Sequence, residues 1–262
     1  MLKVEVRGEG PPLVLLHGWA MHTGVFGALA ARLGPRFTLH LVDLPGHGWN
    51  RDSALPLEPE AVVEALSRQL PRGALWAGWS LGGLFALHAA ATRPELVSGL
   101  AMICATPRFV RGDDWPRGMP PEVFRGFADG LRQDWRATVE RFIALEAFGS
   151  EDARGEIRAL REEAFARGEP APRVLADGLD LLESADLRAS LPALGVPTLW
   201  LAGRRDRLVD PRAMAEAAGR VADARVAVLE HAGHAPFLTH ADAVAAELRA
   251  LGERVFGAGA GQ

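Results

Sequence analysis

The sequence predicts an α/β fold: a mostly parallel central sheet with helices on both faces and a helical lid inserted into it. Short apolar runs alternate with amphipathic stretches along the chain. This rhythm stops in the middle and then resumes, and a Gly-x-Ser-x-Gly sequence sits where a strand should hand over to a helix. Strands covered by helices on both faces are buried on both sides, so they read as continuous apolar runs rather than alternating ones.

The elements follow in order. Pro12–Leu16 (PLVLL), Phe37–Val42 (FTLHLV), Ala74–Gly78 (ALWAG) and Val97–Cys104 (VSGLAMIC) read as buried strands. Helical patterns lie between them near Val25–Leu33, Glu60–Leu70 and Leu81–Thr92. From about Pro107 to Leu187 the strand signal is lost and charge density rises. Two helical stretches stand out there, Asp134–Ala147 and Glu151–Arg167, with Gly149 between them. Strands at Thr198–Ala202 and Arg225–Leu229 then alternate with helices from Pro211 to about Arg220 and from about Asp242. Pro211 suits a first helical turn, where the N–H it lacks needs no partner. The division expected is a core of residues 1–107 and 188–262 around a lid of residues 108–187. The closing GAGAGQ is expected to fray.

Composition narrows the function. A chain of 262 residues, 48% of them hydrophobic, can bury one large core. Its net charge of −4 offers no general attraction to nucleic acid or an anionic membrane, so neither is an expected partner. The apolar runs are too short to span a bilayer, and MLKVEVRGEG lacks the apolar stretch of a signal peptide. A cytoplasmic location is the expectation. Cys104 is the only cysteine and lacks metal-ligand spacing. No metal or cofactor is expected.

Gly78-Trp79-Ser80-Leu81-Gly82, followed by Gly83, ends a predicted strand and opens a predicted helix. A serine nucleophile must be held up at a tight turn, and flanking glycines let the backbone make one. Ser80 is therefore the candidate nucleophile. A tetrahedral intermediate needs N–H donors, and the Leu81 N–H after the nucleophile and the Trp19 N–H in the His17-Gly18-Trp19 loop are the candidates. His17 reads as a brace for that loop.

For the base, His234 lies just after the last predicted strand, between Gly233 and Pro236, in a loop that can reach over the sheet. His231 is the nearby rival. Asp206 follows the Thr198–Ala202 strand and is the candidate for orienting the imidazole. Pairing with Arg204, Arg205 or Arg207 is the competing reading of Asp206. Asp210, just before Pro211, suits a helix N-cap better. Serine, aspartate, histidine is the chain order of α/β-hydrolases, so the fold expected is the α/β-hydrolase fold.

Longer stretches carry a more specific resemblance. LLHGW at 15–19, FTLHLVDLPGHG at 37–48, GWSLGG at 78–83, DWP at 114–116, TVERFIAL at 138–145 and HAPF at 234–237 resemble the pimeloyl-acyl-carrier-protein methyl ester esterase family of biotin synthesis. The resemblance covers nearly the whole chain, lid included. It implies a carboxylesterase with Ser80, Asp206 and His234 as its triad and Trp19 and Leu81 facing the ester oxygen. It also implies that Phe142, Ile143, Ala144, Leu145 and Glu146 line the acyl chain. The implied partner is acyl carrier protein bearing the substrate, met by Arg141, Arg154 and Arg158. A further arginine of the family falls on Ala137 here, with Arg136 beside it. From spacing alone, Arg154, Arg158 and Arg161 share one face of a helix, which is equally the pattern of a solvated surface.

The reaction expected is hydrolysis of a methyl ester at the far end of a pimeloyl chain on acyl carrier protein. A general carboxylesterase of short acyl esters would use the same triad. A ligand receptor on the same fold would have no need of one. Dehalogenases and epoxide hydrolases of this fold use an aspartate nucleophile, which Ser80 replaces.

Overall fold

The computed structural model describes residues 1–257. The rest of the tail expected to fray lies outside the described residues. One sheet runs in the order β1 (Val4–Arg7), β3 (Thr38–Val42), β2 (Pro12–Leu16), β4 (Ala74–Trp79), β5 (Val97–Ile103), β6 (Thr198–Gly203), β7 (Ala224–Leu229). All neighbours are parallel except β1 and β3. The chain steps outward from β2 to β3, then returns to β4 on the other side of β2. Right-handed crossovers taken in opposite directions lie on opposite faces, so the helices cover both. The reversal also opens a crevice beyond the C-terminal ends of β2 and β4, the place where such sheets put their ligands.

The helices of the core are α1 (Gly27–Leu33), α2 (Pro59–Ser67) and α3 (Leu81–Thr92). Later come α7 (Pro211–Ala218), the single turn α8 (Pro236–Thr239) and α9 (Ala241–Phe256). α3 packs along β4 and β5 and against α2, while α9 packs along β5 and β6 and against α1. α3 is buried nearly all round, which is why its sequence, LGGLFALHAAAT, carries no charged residue. Pro211 opens α7, and Asp210 caps it by accepting from the Arg212 N–H at 2.8 Å, as expected.

Between β5 and β6 lie α4 (Pro121–Glu146), α5 (Ala153–Ala166) and α6 (Pro172–Ser184). α4 is kinked at Asp134, whose backbone is non-helical and whose Oδ1 accepts from the Ala137 N–H at 3.0 Å. The second half of α4 thus has its own N-cap at the residue where the sequence places a helix start. This block is fastened to the core by buried polar bonds. Trp19 Nε1–H donates to the Leu175 carbonyl on α6 at 2.8 Å. Arg167, just past α5, bonds Asp43 at 3.0 Å and Thr23 Oγ1 at 2.9 Å.

Three features depart from the sequence reading. The edge strand β1 and the whole of α6 are additional, and α4 begins at Pro121 rather than Asp134. β1 is four residues long and half exposed, so it carries no buried run. α6 contains Gly178, a weak helix former, but a Cβ there would stand 2.6 Å from the Trp19 ring. Close packing over Trp19 overrides the propensity.

Candidate active site

Ser80 sits between β4 and α3 with φ 52° and ψ −120°, a backbone conformation side chains rarely adopt. The glycines of the motif make the turn possible. A Cβ on Gly78 would stand 2.3 Å from the Gly82 carbonyl oxygen, and one on Gly82 would stand 2.4 Å from that of Leu16. The turn is held by the Ser80 N–H, which donates to Ile103 O at 3.0 Å.

The structure brings Ser80, His234 and Asp206 together. Ser80 Oγ lies 2.8 Å from His234 Nε2, and His234 Nδ1 lies 2.8 Å from Asp206 Oδ2. A carboxylate only accepts, so Nδ1 carries the ring proton and Nε2 is left to accept from the serine hydroxyl. The other oxygen of Asp206 accepts from the Leu208 and Val209 N–H groups at 2.8 and 3.0 Å. The side chains of His234 and Asp206 are fully buried, and Ser80 is 2% exposed. A nucleophile, a base and an orienting acid so aligned can transfer an acyl group through a covalent intermediate.

The rivals fall elsewhere. His231 is exposed, with Arg205 at 3.0 Å, and Asp210 is spent on its helix cap. His17 Nδ1–H donates to Gly18 O and its Nε2 accepts from the Leu44 N–H, both at 2.8 Å, so it braces the loop. Burial, helped by His47 nearby, lowers its pKa to about 3. Arg204 pairs with Glu230 rather than with Asp206.

Leu81 follows the serine in the chain, and Trp19 follows Gly18, where a Cβ would stand 3.3 Å from Ser80 Cβ. Leu81 is the first residue of α3, where an N–H has no partner within the helix. The Trp19 N–H makes no backbone hydrogen bond among the described residues. The Trp19 ring is buried edge-on to Phe142 at 4.7 Å, and Phe142 meets Phe127 at 5.3 Å. Phe142 and Ile143 are buried, Leu145 is half-buried and Ala144 is exposed. Glu146 is buried with neither carboxyl oxygen bonded, and burial pushes its pKa well above the usual carboxylate range, as do Asp206 and Glu156.

Sequence reasoning passed over several supporting residues. Trp79, inside the motif, donates from Nε1 to the His234 carbonyl at 2.8 Å and packs on Phe237. Its place beside the nucleophile was the only signal. Cys104, Asp206 and His234 present ligand atoms within 4.8 Å of one another. Burial raises the Cys104 thiol well above its ordinary range, and the other two groups are spent on each other.

The carrier-facing candidates are all exposed. Arg141 bonds only the neutral Thr138 Oγ1, at 3.0 Å, and Arg154 and Arg158 carry no ion pair or hydrogen bond among the described residues. Arg161 pairs with Glu140 at 3.6 Å. Arg136, beside Ala137, is tied to Glu169 and lies over the Phe165 ring.

Residues 11–241 match the alpha/beta hydrolase fold family. A pimeloyl-acyl-carrier-protein methyl ester esterase from Stenotrophomonas maltophilia is 56% identical over 248 residues, 95% of both chains. Another, from Xanthomonas campestris, is 56% identical over 247 residues, 94% of this chain and 97% of that one.

The chain belongs to this esterase family, within the α/β-hydrolases.

Solved structures agree on the fold. An esterase from Exiguobacterium antarcticum superposes with a TM-score of 0.85 at 23% identity, covering 95% of this chain and 94% of that one. An enol-lactonase from Burkholderia xenovorans gives 0.82 at 21%, covering 95% of each. As a member of the esterase family the chain is a hydrolase of carboxylic esters. No helix among the described residues is long and apolar enough to cross a membrane.

Proposed function

We propose that this esterase hydrolyses the methyl ester of pimeloyl-acyl-carrier-protein methyl ester, giving methanol and the free carboxylate on the carrier-linked chain, as a step of biotin synthesis. The observation that carries the reading is the 56% identity over 95% of the chain to relatives of that name. Too few residues lie outside that match to omit the 108–187 block, where substrate preference would be expressed.

Ser80 Oγ attacks the ester carbonyl as His234 Nε2 takes its proton, and Asp206 holds the imidazole and stabilises its charged form. The oxyanion is received by the Leu81 and Trp19 N–H groups, each such donor lowering the barrier by about 3 kcal/mol. His234 returns the proton to the departing methanol. Water then enters by the same route and releases the acid from Ser80. Residues 108–187 act as a lid, with Phe142, Ile143 and Leu145 beside Trp19 as the wall for the methylene chain. Acyl carrier protein is the partner that presents the substrate, and the exposed Arg141, Arg154 and Arg158 meet its acidic surface.

The experiment is to compare kcat/KM for methyl-pimeloyl carrier protein with that for a short-chain ester such as p-nitrophenyl acetate. The proposal expects the carrier-linked ester to be preferred by about 10-fold or more, a modest 1.4 kcal/mol. Preference for the short ester would make the protein a general carboxylesterase.

A further inference from the structure

The inserted helices reach the His234 loop through contacts that a serine–histidine–aspartate relay does not itself need. The Glu146 carbonyl, at the end of α4, accepts from the His234 backbone N–H at 3.3 Å. Glu156 on α5 is 1% exposed, and its Oε1 accepts from Ser150 Oγ at 2.6 Å and from Thr239 Oγ1 at 3.0 Å. Thr239 closes α8, the turn that follows the histidine loop. Gly233, next to His234, is wedged into this cluster. A Cβ there would stand 3.2 Å from Ser150 Cβ, 3.5 Å from Glu146 O and 3.6 Å from Glu156 Oε2. Ends of α4, α5 and α8 thus converge on one loop.

An acid is a poor choice for merely filling that space. Glu156 Oε2 is buried without a partner, which costs about 1–3 kcal/mol. Apolar groups of the same shape in place of the acid and its partners together can be nearly neutral in stability. The carboxyl oxygen that does have partners collects two hydroxyls from two separate segments. Directional bonds of this kind fix α8 against α5 more narrowly than apolar contact, which is non-directional.

We propose that Glu156 is a positioning residue for His234. By holding Ser150 and Thr239 on one oxygen, it fixes the 232–240 loop so that His234 Nε2 stays in reach of Ser80 Oγ. The proposal rests on His234 being the base of the reaction above. A displacement of about 1 Å between reacting groups can cost about 100-fold in rate, so a loosened loop would be felt in turnover.

The test uses Glu156→Leu, Glu156→Gln and Thr239→Val, with a short-chain ester as substrate and active sites counted with a fluorophosphonate. Glu156→Leu should lose about 10-fold or more in kcat per titrated site with KM changed less than about two-fold. Glu156→Gln keeps an acceptor oxygen for both hydroxyls and should restore kcat to near wild type. Thr239→Val should lose kcat by less than Glu156→Leu. An unchanged kcat in Glu156→Leu, with only a lower melting temperature, would overturn the proposal, as would a Glu156→Gln variant equally slow. If Glu156→Leu fails to fold, Thr239→Val decides, and an undiminished kcat there overturns it. His234→Ala in the same assay tests the base by itself. A dead His234→Ala beside a fully active Glu156→Leu would sink the positioning role and leave the triad standing.

Discussion

Ser80 holds a left-handed backbone conformation that costs of order 1–3 kcal/mol, and the fold keeps it there because the turn presents Oγ to His234 at 2.8 Å. Removing the hydroxyl leaves that turn intact. Ser80→Ala should therefore fold as wild type by circular dichroism and melting temperature while losing about 10⁶-fold in kcat. His234→Ala should lose about as much, because nucleophile and base act as a unit. Asp206→Asn should fall about 10⁴-fold, since an amide can stabilise the wrong imidazole tautomer. Greater damage from His231→Ala or Asp210→Asn would refute the assignment. At this scale the sequence was most legible where backbone geometry demands particular residues, as in the glycines around Ser80. Glu156 and Trp79 were not legible, since their roles depend on partners 83 and 155 residues away in the chain.

At the scale of elements, the sheet was readable because buried parallel strands must be apolar on both faces. Six of the strands fall within a residue of where their runs place them, β2 at the very ends of PLVLL. β1 and α6 were missed because each is decided by its neighbours: β1 by antiparallel pairing with β3, α6 by Trp19 against Gly178. α5 makes a prediction of its own. Arg154 and Arg158 are exposed and carry no ion pair among the described residues, whereas Arg161 on the same helix is paired. Charges of this kind act over a screening length of about 8 Å at physiological salt and mainly speed encounter. Reversing both to Glu should raise KM for the carrier-linked ester several-fold, flatten its salt dependence, and leave a small uncharged ester unaffected. An unchanged ratio of the two activities at low and moderate salt would reduce this face to a solvated surface.

Across the whole molecule, a buried polar cluster around Asp43 ties the sheet to the helices inserted between β5 and β6 and sets the response to acid. Burial holds His17 at a pKa of about 3 and His22 and His47 at about 4. The unfolded chain takes up protons on these residues below about pH 6.5 while the folded one does not, so stability falls as pH drops, by up to about 1.4 kcal/mol per pH unit for each. Burial works against the Asp43 carboxylate, but the nearby His17 and hydrogen bonds from Thr23 and Trp49 outweigh it and hold the pKa at about 2. That contribution is complete above about pH 4 and disappears toward pH 2. Urea midpoints should therefore fall steeply between about pH 6 and pH 4, and less steeply in His47→Gln; a flat profile would contradict the buried neutral histidines. The central claim is that Ser80 cleaves a methyl ester on a carrier-linked chain. The most direct measurement is the intact mass of methyl-pimeloyl carrier protein after incubation with the enzyme. The result predicted is loss of one methylene, with the thioester arm intact and no change with Ser80→Ala. A carrier protein stripped of its acyl group, or left unchanged by an enzyme that consumes a short-chain ester, would contradict it.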